Sequence, residues 1–100
     1  MAATPEKKVK DKVVGILKEE GVYYFFPATH GFGRSGVPDI VCCVNGYFLA
    51  IEVKAGTNKP TALQVREIEA IRRSNGVAVV ANDENWDMVR GLVHKLKEQK

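Results

Sequence analysis

The chain has few of the features that mark membrane, secreted and metal-thiolate proteins. No apolar run approaches the roughly 18 residues that span a bilayer, and the charged N-terminal stretch lacks the apolar centre of a signal peptide. The only cysteines are adjacent, Cys42 and Cys43, so no C-x-x-C spacing predicts zinc or redox chemistry. We interpret both as reduced, buried small hydrophobic residues on opposite faces of a strand. These absences favour a soluble, intracellular protein that does not act at a membrane.

Repeats, low-complexity tracts and interdomain linkers are also absent. The 100 residues are therefore expected to form one domain that spans residues 1–100. A content of 45% hydrophobic and 27% charged residues is that of an ordinary globular domain and argues against disorder. The net charge of +3 is compatible with phosphate binding, although charge alone is weak evidence for it.

Local signals predict an α/β domain with the element order αβββαβα. Thr4 and Pro5 open a helix that Gly21 ends, and Thr61 to Gln64 form a capping box that opens another. Either Asn82 or Asp83 is expected to cap the last helix. The predicted strands are 22–26, 39–44, 47–54 and 77–81. The passage from 47 to 81 is long enough for a crossover, so its two strands should be parallel in a mixed four-stranded sheet flanked by helices.

The central hairpin is expected to bring two carboxylates together. Asn45-Gly46 between apolar runs predicts a two-residue turn, because both central residues must take positive φ. The resulting register places Asp39 opposite Glu52, where Cβ atoms lie roughly 4.5–5.5 Å apart. Lys54 projects from the same face as Glu52. The two acids repel each other, and a divalent cation would relieve that repulsion. The alternative is a surface cross-strand salt-bridge cluster with no catalytic role.

Three passages resemble a known nuclease family. They are Pro5-Glu6, Ser35 to Asp39, and Ile51 to Lys54 followed by Thr61 to Gln64. In order and spacing they resemble the PD-(D/E)xK nuclease superfamily, and more closely its viral-type replication and repair nuclease family, VRR-NUC. The resemblance implies a restriction-endonuclease-like fold that hydrolyses DNA phosphodiesters with Mg²⁺ or Mn²⁺.

The resemblance also assigns roles to individual residues. Asp39 and Glu52 would bind the metal, the backbone carbonyl of Val53 would add a ligand, and Lys54 would position the nucleophilic water. Glu6 matches the acidic residue on the family's opening helix and would reach the metal directly or through water. Its alternative explanation is that an acid in the first helical turn is stabilised by the helix dipole.

Gln64 matches the glutamine that follows the Glu-x-Lys motif in the family. There it would help to fix the lysine or a phosphate. Reciprocal capping with Thr61 explains the same residue without an active site, and the two roles are compatible.

The loop before Asp39 imitates a dinucleotide-binding fingerprint. Residues 31–36 satisfy G-x-G-x-x-G, but the fingerprint must leave a strand and open a helix, whereas this run leads into Pro38 and a strand. We interpret it as a loop beside the site in which His30 and Arg34 contact nucleic-acid phosphates. For His30, an exposed position without a role is an equal alternative. Lys59 is a weaker candidate of the same kind.

The expected function is cleavage of branched DNA. A domain of this size leaves little surface for recognising a substrate, so we expect a homodimer whose twofold axis matches a four-way junction and which makes symmetric paired cuts. Two alternatives are a monomeric flap or nicking nuclease and a non-catalytic nucleic-acid-binding module; a third is a small interaction domain. The absence of targeting signals and the family likeness favour the cytoplasm of a bacterial or phage-infected cell.

Overall fold

The computed structural model describes residues 3–28 and 33–99. It confirms an α/β fold with the order αβββαβα. The elements are α1 Pro5–Glu19, β1 Tyr23–Phe25, β2 Ile40–Val44, β3 Tyr47–Val53, α2 Ala62–Arg73, β4 Val77–Ala81 and α3 Met88–Glu98. Within these ranges no helix is both long enough and apolar enough to cross a membrane.

The four strands form one mixed sheet in the order β1-β2-β3-β4. The hairpin has the predicted register, since Val44 pairs with Tyr47 and Ile40 with Ile51. At its turn Asn45 and Gly46 have φ angles of 53° and 83°, which is the backbone that the Asn-Gly signal requires. Strands β3 and β4 are parallel, as the crossover predicted.

Helices cover the two faces of the sheet unequally. α1 and α3 pack on one face over the main core, which includes Val13, Leu17, Ile51 and Val93. α2 packs on the other face over a smaller cluster around Ile68. Because the side chains of successive strand residues alternate between faces, each face keeps a distinct set of side chains.

On the α2 face, the half of the sheet formed by β1, β2 and the first residues of β3 is left open. Tyr23 is 69% exposed, and Phe25 and Phe48 are each 47% exposed. Cys43 belongs to the same open half and is exposed, whereas Cys42 points into the main core and is buried. The prediction that both cysteines are buried was therefore wrong for Cys43, because α2 lies over the β3 and β4 half of this face instead.

Helix starts follow the sequence signals in two of three cases. The Thr4 hydroxyl accepts the N–H of Lys7, and Thr61 and Gln64 form the predicted capping box. The third prediction was wrong, since α3 begins only at Met88. Asn82 Oδ1 instead accepts the N–H groups of Glu84 and Asn85, which builds a tight turn before the helix.

Candidate active site

Glu52 is a buried carboxylate near the end of β3, with only 2% of its surface exposed. Its Oε2 accepts a hydrogen bond of 2.8 Å from Gln64 Nε2 and lies 3.5 Å from Lys54 Nζ. Its Oε1 is buried and has no hydrogen-bond partner among the described residues. A buried polar atom without a partner is costly, so this oxygen marks a place where a ligand would stabilise the protein.

Asp39 stands directly before β2 and faces the same point of the sheet. Its Oδ2 accepts the backbone N–H of Val53 at 2.8 Å, which fixes the carboxylate beside the end of β3. Burial and the neighbouring Asp39 charge raise the pKa of Glu52 to about 7, while Lys54 acts in the opposite direction. The predicted conflict between the two acids is therefore present in the structure, and Lys54 offsets only part of it.

These residues fit a divalent cation of the Mg²⁺ type. The described residues hold no cluster of three Asp, Glu, His or Cys side chains able to bind a metal. Mg²⁺ does not require one, because it binds through one or two carboxylates and keeps waters and substrate phosphate in its remaining positions. The unpartnered Glu52 Oε1 beside the Asp39 carboxylate meets that requirement.

Lys54 lies beside the Glu52 carboxylate of the proposed metal site. Its side chain is 13% exposed, and its backbone N–H donates to Ala81 O at 2.9 Å, which continues the contact between β3 and β4. Burial of the side chain and the nearby Glu52 carboxylate restrict the conformations that the Lys54 ammonium can adopt. Lys54 can therefore orient a water molecule or counter negative charge that develops on a phosphate.

Gln64 has the predicted capping role and makes a second contact, to Glu52, that was not predicted. Its Oε1 accepts the N–H of Thr61 at 2.9 Å, which completes the capping box, while its Nε2 donates to Glu52. One side chain thus starts α2 and fixes one oxygen of Glu52. Since that oxygen is occupied, Glu52 Oε1 is the oxygen left for a metal ion.

Gly36 explains why the loop that carries Asp39 can lie against α2. It has a φ of +78°, and a Cβ at this position would come within 2.6 Å of the Leu63 carbonyl carbon and 2.9 Å of Gln64 N. Only glycine adopts this backbone conformation without strain and leaves room for the helix start. Gly36 therefore sets the distance between the Asp39 loop and the helix that holds Gln64.

Replacement of Gly36 by alanine is expected to destabilise the fold by about 2–3 kcal/mol, because positive φ and a backbone clash add together. The melting temperature should fall by roughly 10 °C or more. Gly33→Ala is the matched control, since a Cβ there meets nothing within 4 Å. Equal melting temperatures for the two variants in a thermal scan would contradict this explanation of Gly36.

Glu6 lies in the exposed first turn of α1. It lines a cleft of about 530 Å³ that also contains Asp39 and Val53. Glu6 thus shares this cleft with Asp39 and Val53 but not with Glu52, and it does not join Asp39 and Glu52 in a three-ligand cluster. This position is compatible with a contact through water.

The predicted phosphate contacts have different surroundings. The Arg34 guanidinium donates two hydrogen bonds of 2.8 Å to the buried Glu67 of α2, and this pairing holds the pKa of Glu67 below its usual value. The Arg34 side chain still remains 71% exposed. Lys59 is exposed in the loop before α2. His30 lies outside the described residues.

Sequence reasoning missed the lysines of α1. Lys7, Lys10 and Lys18 line the cleft that contains Asp39. Their signal was available, because Lys7, Lys10 and Lys18, together with Val14, recur at the three- to four-residue spacing of one helix face. Sequence alone did not show that this face lies beside the hairpin.

The chain is similar to known proteins both in its sequence and in its fold. The family model described as archaeal Holliday junction resolvase (Hjc) matches residues 6–98. Among solved structures, a "VRR_NUC domain protein" is similar with a TM-score of 0.72 and 21% identity, over 96% of this chain and 90% of that chain. Hjc of Archaeoglobus fulgidus, described as a Holliday junction resolvase from an archaeal hyperthermophile, has a TM-score of 0.56 and 27% identity. That match covers 77% of this chain and 65% of that chain. No curated protein matches. The resemblance to a nuclease family is thus confirmed by the family model, and the similarity to the VRR_NUC domain protein confirms the fold.

Proposed function

We propose, from the premise that this chain belongs to the archaeal Holliday junction resolvase family, that it is a metal-dependent endonuclease that cuts four-way DNA junctions as a homodimer. The observation that carries the proposal is the buried Glu52 carboxylate, whose Oε1 has no partner among the described residues and which lies beside Asp39 and Lys54. A binding module gains nothing from two opposed carboxylates near phosphate, whereas a nuclease needs them to hold its cation.

Each residue of the site would have a distinct role in phosphodiester hydrolysis. Asp39 and Glu52 would hold Mg²⁺ or Mn²⁺, with the Val53 carbonyl as a further ligand and Glu6 assisting. The ion would supply Lewis-acid polarisation of the phosphoryl group and acidify a bound water. Gln64 keeps Glu52 Oε2 in place, and the Lys54 ammonium orients the attacking water and counters the charge that develops on the phosphate.

The experiment that tests this function is cleavage of three end-labelled DNAs: a four-way junction, a flap and a linear duplex, each with Mg²⁺, Mn²⁺ or Ca²⁺. We expect paired symmetric nicks in the junction with Mg²⁺ and Mn²⁺. Cutting confined to flaps would retain the nuclease and remove the resolvase. Binding without cutting under every cation would favour the non-catalytic binding module.

The open half of the sheet is the surface that we propose for the second copy. β1 is an edge strand, and the exposed rings of Phe25 and Phe48 line a cleft of about 600 Å³ beside α2. The exposed Tyr23 ring extends this surface beside Phe25, with ring centroids 6.4 Å apart. Monomeric proteins rarely leave a large contiguous apolar patch exposed. A second copy would cover it with an identical apolar surface, and the resulting twofold symmetry matches a junction in which two equivalent strands are cut.

Phe48→Glu is expected to convert the protein from a dimer into a monomer, because a charge would be buried at the centre of the apolar surface. Light scattering should give twice the 11.0 kDa chain mass for the wild type and the single chain mass for the variant. Tyr23→Glu, at a more exposed position of the same surface, should also give a monomer. Val65→Glu is the control, since Val65 is 41% exposed on α2 but does not line this cleft.

A monomeric wild type at micromolar concentration with DNA present would remove the dimer from the proposal. A dimer that survives both Phe48→Glu and Tyr23→Glu would place its interface elsewhere. Junction cleavage by the monomeric variant should consist of single unpaired nicks, since simultaneous cutting needs two sites.

A further inference from the structure

The cleft between α1 and the end of β1 continues outward from the candidate active site. It is lined by Asp39 and Val53 on the side of the site and by α1 residues together with Phe26 on the other. A DNA strand whose phosphate lies at Asp39 must place neighbouring phosphates somewhere along this surface. The charges that line the cleft therefore decide whether it accepts or repels that strand.

Two lysines in the cleft carry charge that the protein does not neutralise. Lys7 is paired with Asp11, with Nζ 2.9 Å from Oδ2. Lys10 and Lys18 form no ion pair in residues 3–28 and 33–99, and both line the cleft. Eight residues of α-helix separate them by about 12 Å along the axis. The acids of the same cleft are Asp11, which pairs with Lys7, and Glu6 and Asp39, which belong to the proposed metal site, where a bound cation would offset their charge. With that cation present, Lys10 and Lys18 favour an extended anion.

Phe26 holds one of these charges in a defined position. The Lys10 ammonium lies 4.1 Å from the centroid of the Phe26 ring, and the ring itself is 48% exposed. Tyr24 supports it, with ring centroids 5.8 Å apart. A cation–π contact orients the ammonium without cancelling its charge, so Lys10 keeps its ability to bind a phosphate.

We infer that this cleft is a binding site for the DNA backbone next to the scissile phosphate, in which Lys10 and Lys18 each contact a phosphate and Phe26 positions Lys10. The inference rests on the proposed nuclease function. One strand of duplex DNA rises 3.4 Å per nucleotide, so about 12 Å corresponds to three or four nucleotides. The site thus recognises phosphate spacing rather than base sequence.

The test compares two double variants that lose the same two positive charges. Lys10→Ala/Lys18→Ala removes the cleft lysines, whereas Lys8→Ala/Lys95→Ala removes two exposed lysines that do not line the cleft. Binding of a fluorescent four-way junction is measured by anisotropy with Ca²⁺ over a range of salt concentrations. The plot of log K against log[salt] should lose about two units of slope per bound protomer in the cleft variant and keep the wild-type slope in the control.

Phe26 has its own test because a positioning role differs from a structural one. Phe26→Leu should lower junction affinity and reduce the salt slope by about one unit, while Phe26→Tyr, which keeps the ring under Lys10, should restore both values. If Phe26→Leu reduces the salt slope and Phe26→Tyr does not restore it, the positioning role of Phe26 is contradicted.

Two outcomes separate the failure of this inference from that of the proposed function. Suppose that the wild type binds the junction, but the salt slope of Lys10→Ala/Lys18→Ala equals that of the wild type or falls no further than that of Lys8→Ala/Lys95→Ala. The cleft then does not bind the DNA backbone. If the wild type binds no DNA at all, the proposed function itself fails, and the inference fails with it.

Discussion

Lys54→Ala is expected to lower the rate of DNA cleavage by about 10²–10³-fold, the usual effect of removing one group that stabilises transition-state charge. The ammonium lies 3.5 Å from Glu52 Oε2 and is mostly buried, so neither bulk solvent nor another lysine can replace it easily. The rate should be measured under single-turnover conditions on a four-way junction, so that product release does not mask the chemical step.

The control for this loss is Lys95→Ala, which removes an exposed lysine from α3. It should cleave at the wild-type rate. Binding of the junction by Lys54→Ala in Ca²⁺ should remain within a few fold of wild type, because the residue acts on the reaction rather than on recognition. A cleavage rate within threefold of wild type would exclude Lys54 from the chemistry.

Glu52→Gln is expected to stabilise the metal-free protein at pH 8 while abolishing its response to metal. The pKa of Glu52 is raised from its ordinary value to about 7. A carboxyl whose pKa is raised in the folded state loses stability as the pH rises from about 4.5 through 7, since the unfolded chain ionises first. At about 1.4 kcal/mol per pKa unit, the neutral amide should gain about 1–3 kcal/mol at pH 8 and almost nothing near pH 4.5.

Metal should offset the lower stability of the wild type. A ligand at 100 times its dissociation constant stabilises the folded state by about 2.7 kcal/mol, so saturating Mn²⁺ should raise the wild-type melting temperature by roughly 10 °C. The Glu52→Gln variant should show no such shift, and Glu69→Gln, on the exposed part of α2, should respond like the wild type. Equal shifts in wild type and Glu52→Gln would show that Mn²⁺ binds elsewhere.

The hairpin and its register could be predicted because few physical alternatives exist. Asn45-Gly46 selects one kind of turn, and a slip of one residue would move every apolar side chain of the two strands to the wrong face. The same register brings Asp39 and Glu52 together, so the central part of the site followed from local signals. The capping role of Gln64 was predicted from the same kind of local signal, whereas its hydrogen bond to Glu52 was not.

The features that were wrong or missed depend on contacts between distant segments. Cys43 is exposed because α2 covers only one half of its face, and no local pattern shows which half a helix will cover. Asn82 carries a cap signal, but its side chain serves a tight turn instead. The pairing of Arg34 with Glu67 joins residues 33 positions apart, and sequence spacing carries no information about such a contact.

The steric role of Gly36 also depends on a contact between distant segments. Its motif position was recognised, but the reason for a glycine there is the approach of the Leu63 backbone, which is set by how α2 packs on the sheet. The lysines of α1 likewise gain their meaning only from the neighbouring Asp39. Packing between elements, more than the identity of the elements, therefore limited what the sequence could reveal.

The most direct measurement of the central claim is single-turnover cleavage of an end-labelled four-way junction in Mg²⁺ by the wild type, Glu52→Gln and Glu69→Gln. If Asp39 and Glu52 hold the catalytic ion, the wild type and Glu69→Gln should nick the junction at equal rates, and Glu52→Gln should leave it intact. Cleavage by Glu52→Gln at the wild-type rate would contradict this role, because Glu52 Oε1, which is buried without a partner among residues 3–28 and 33–99, would then have no part in the reaction.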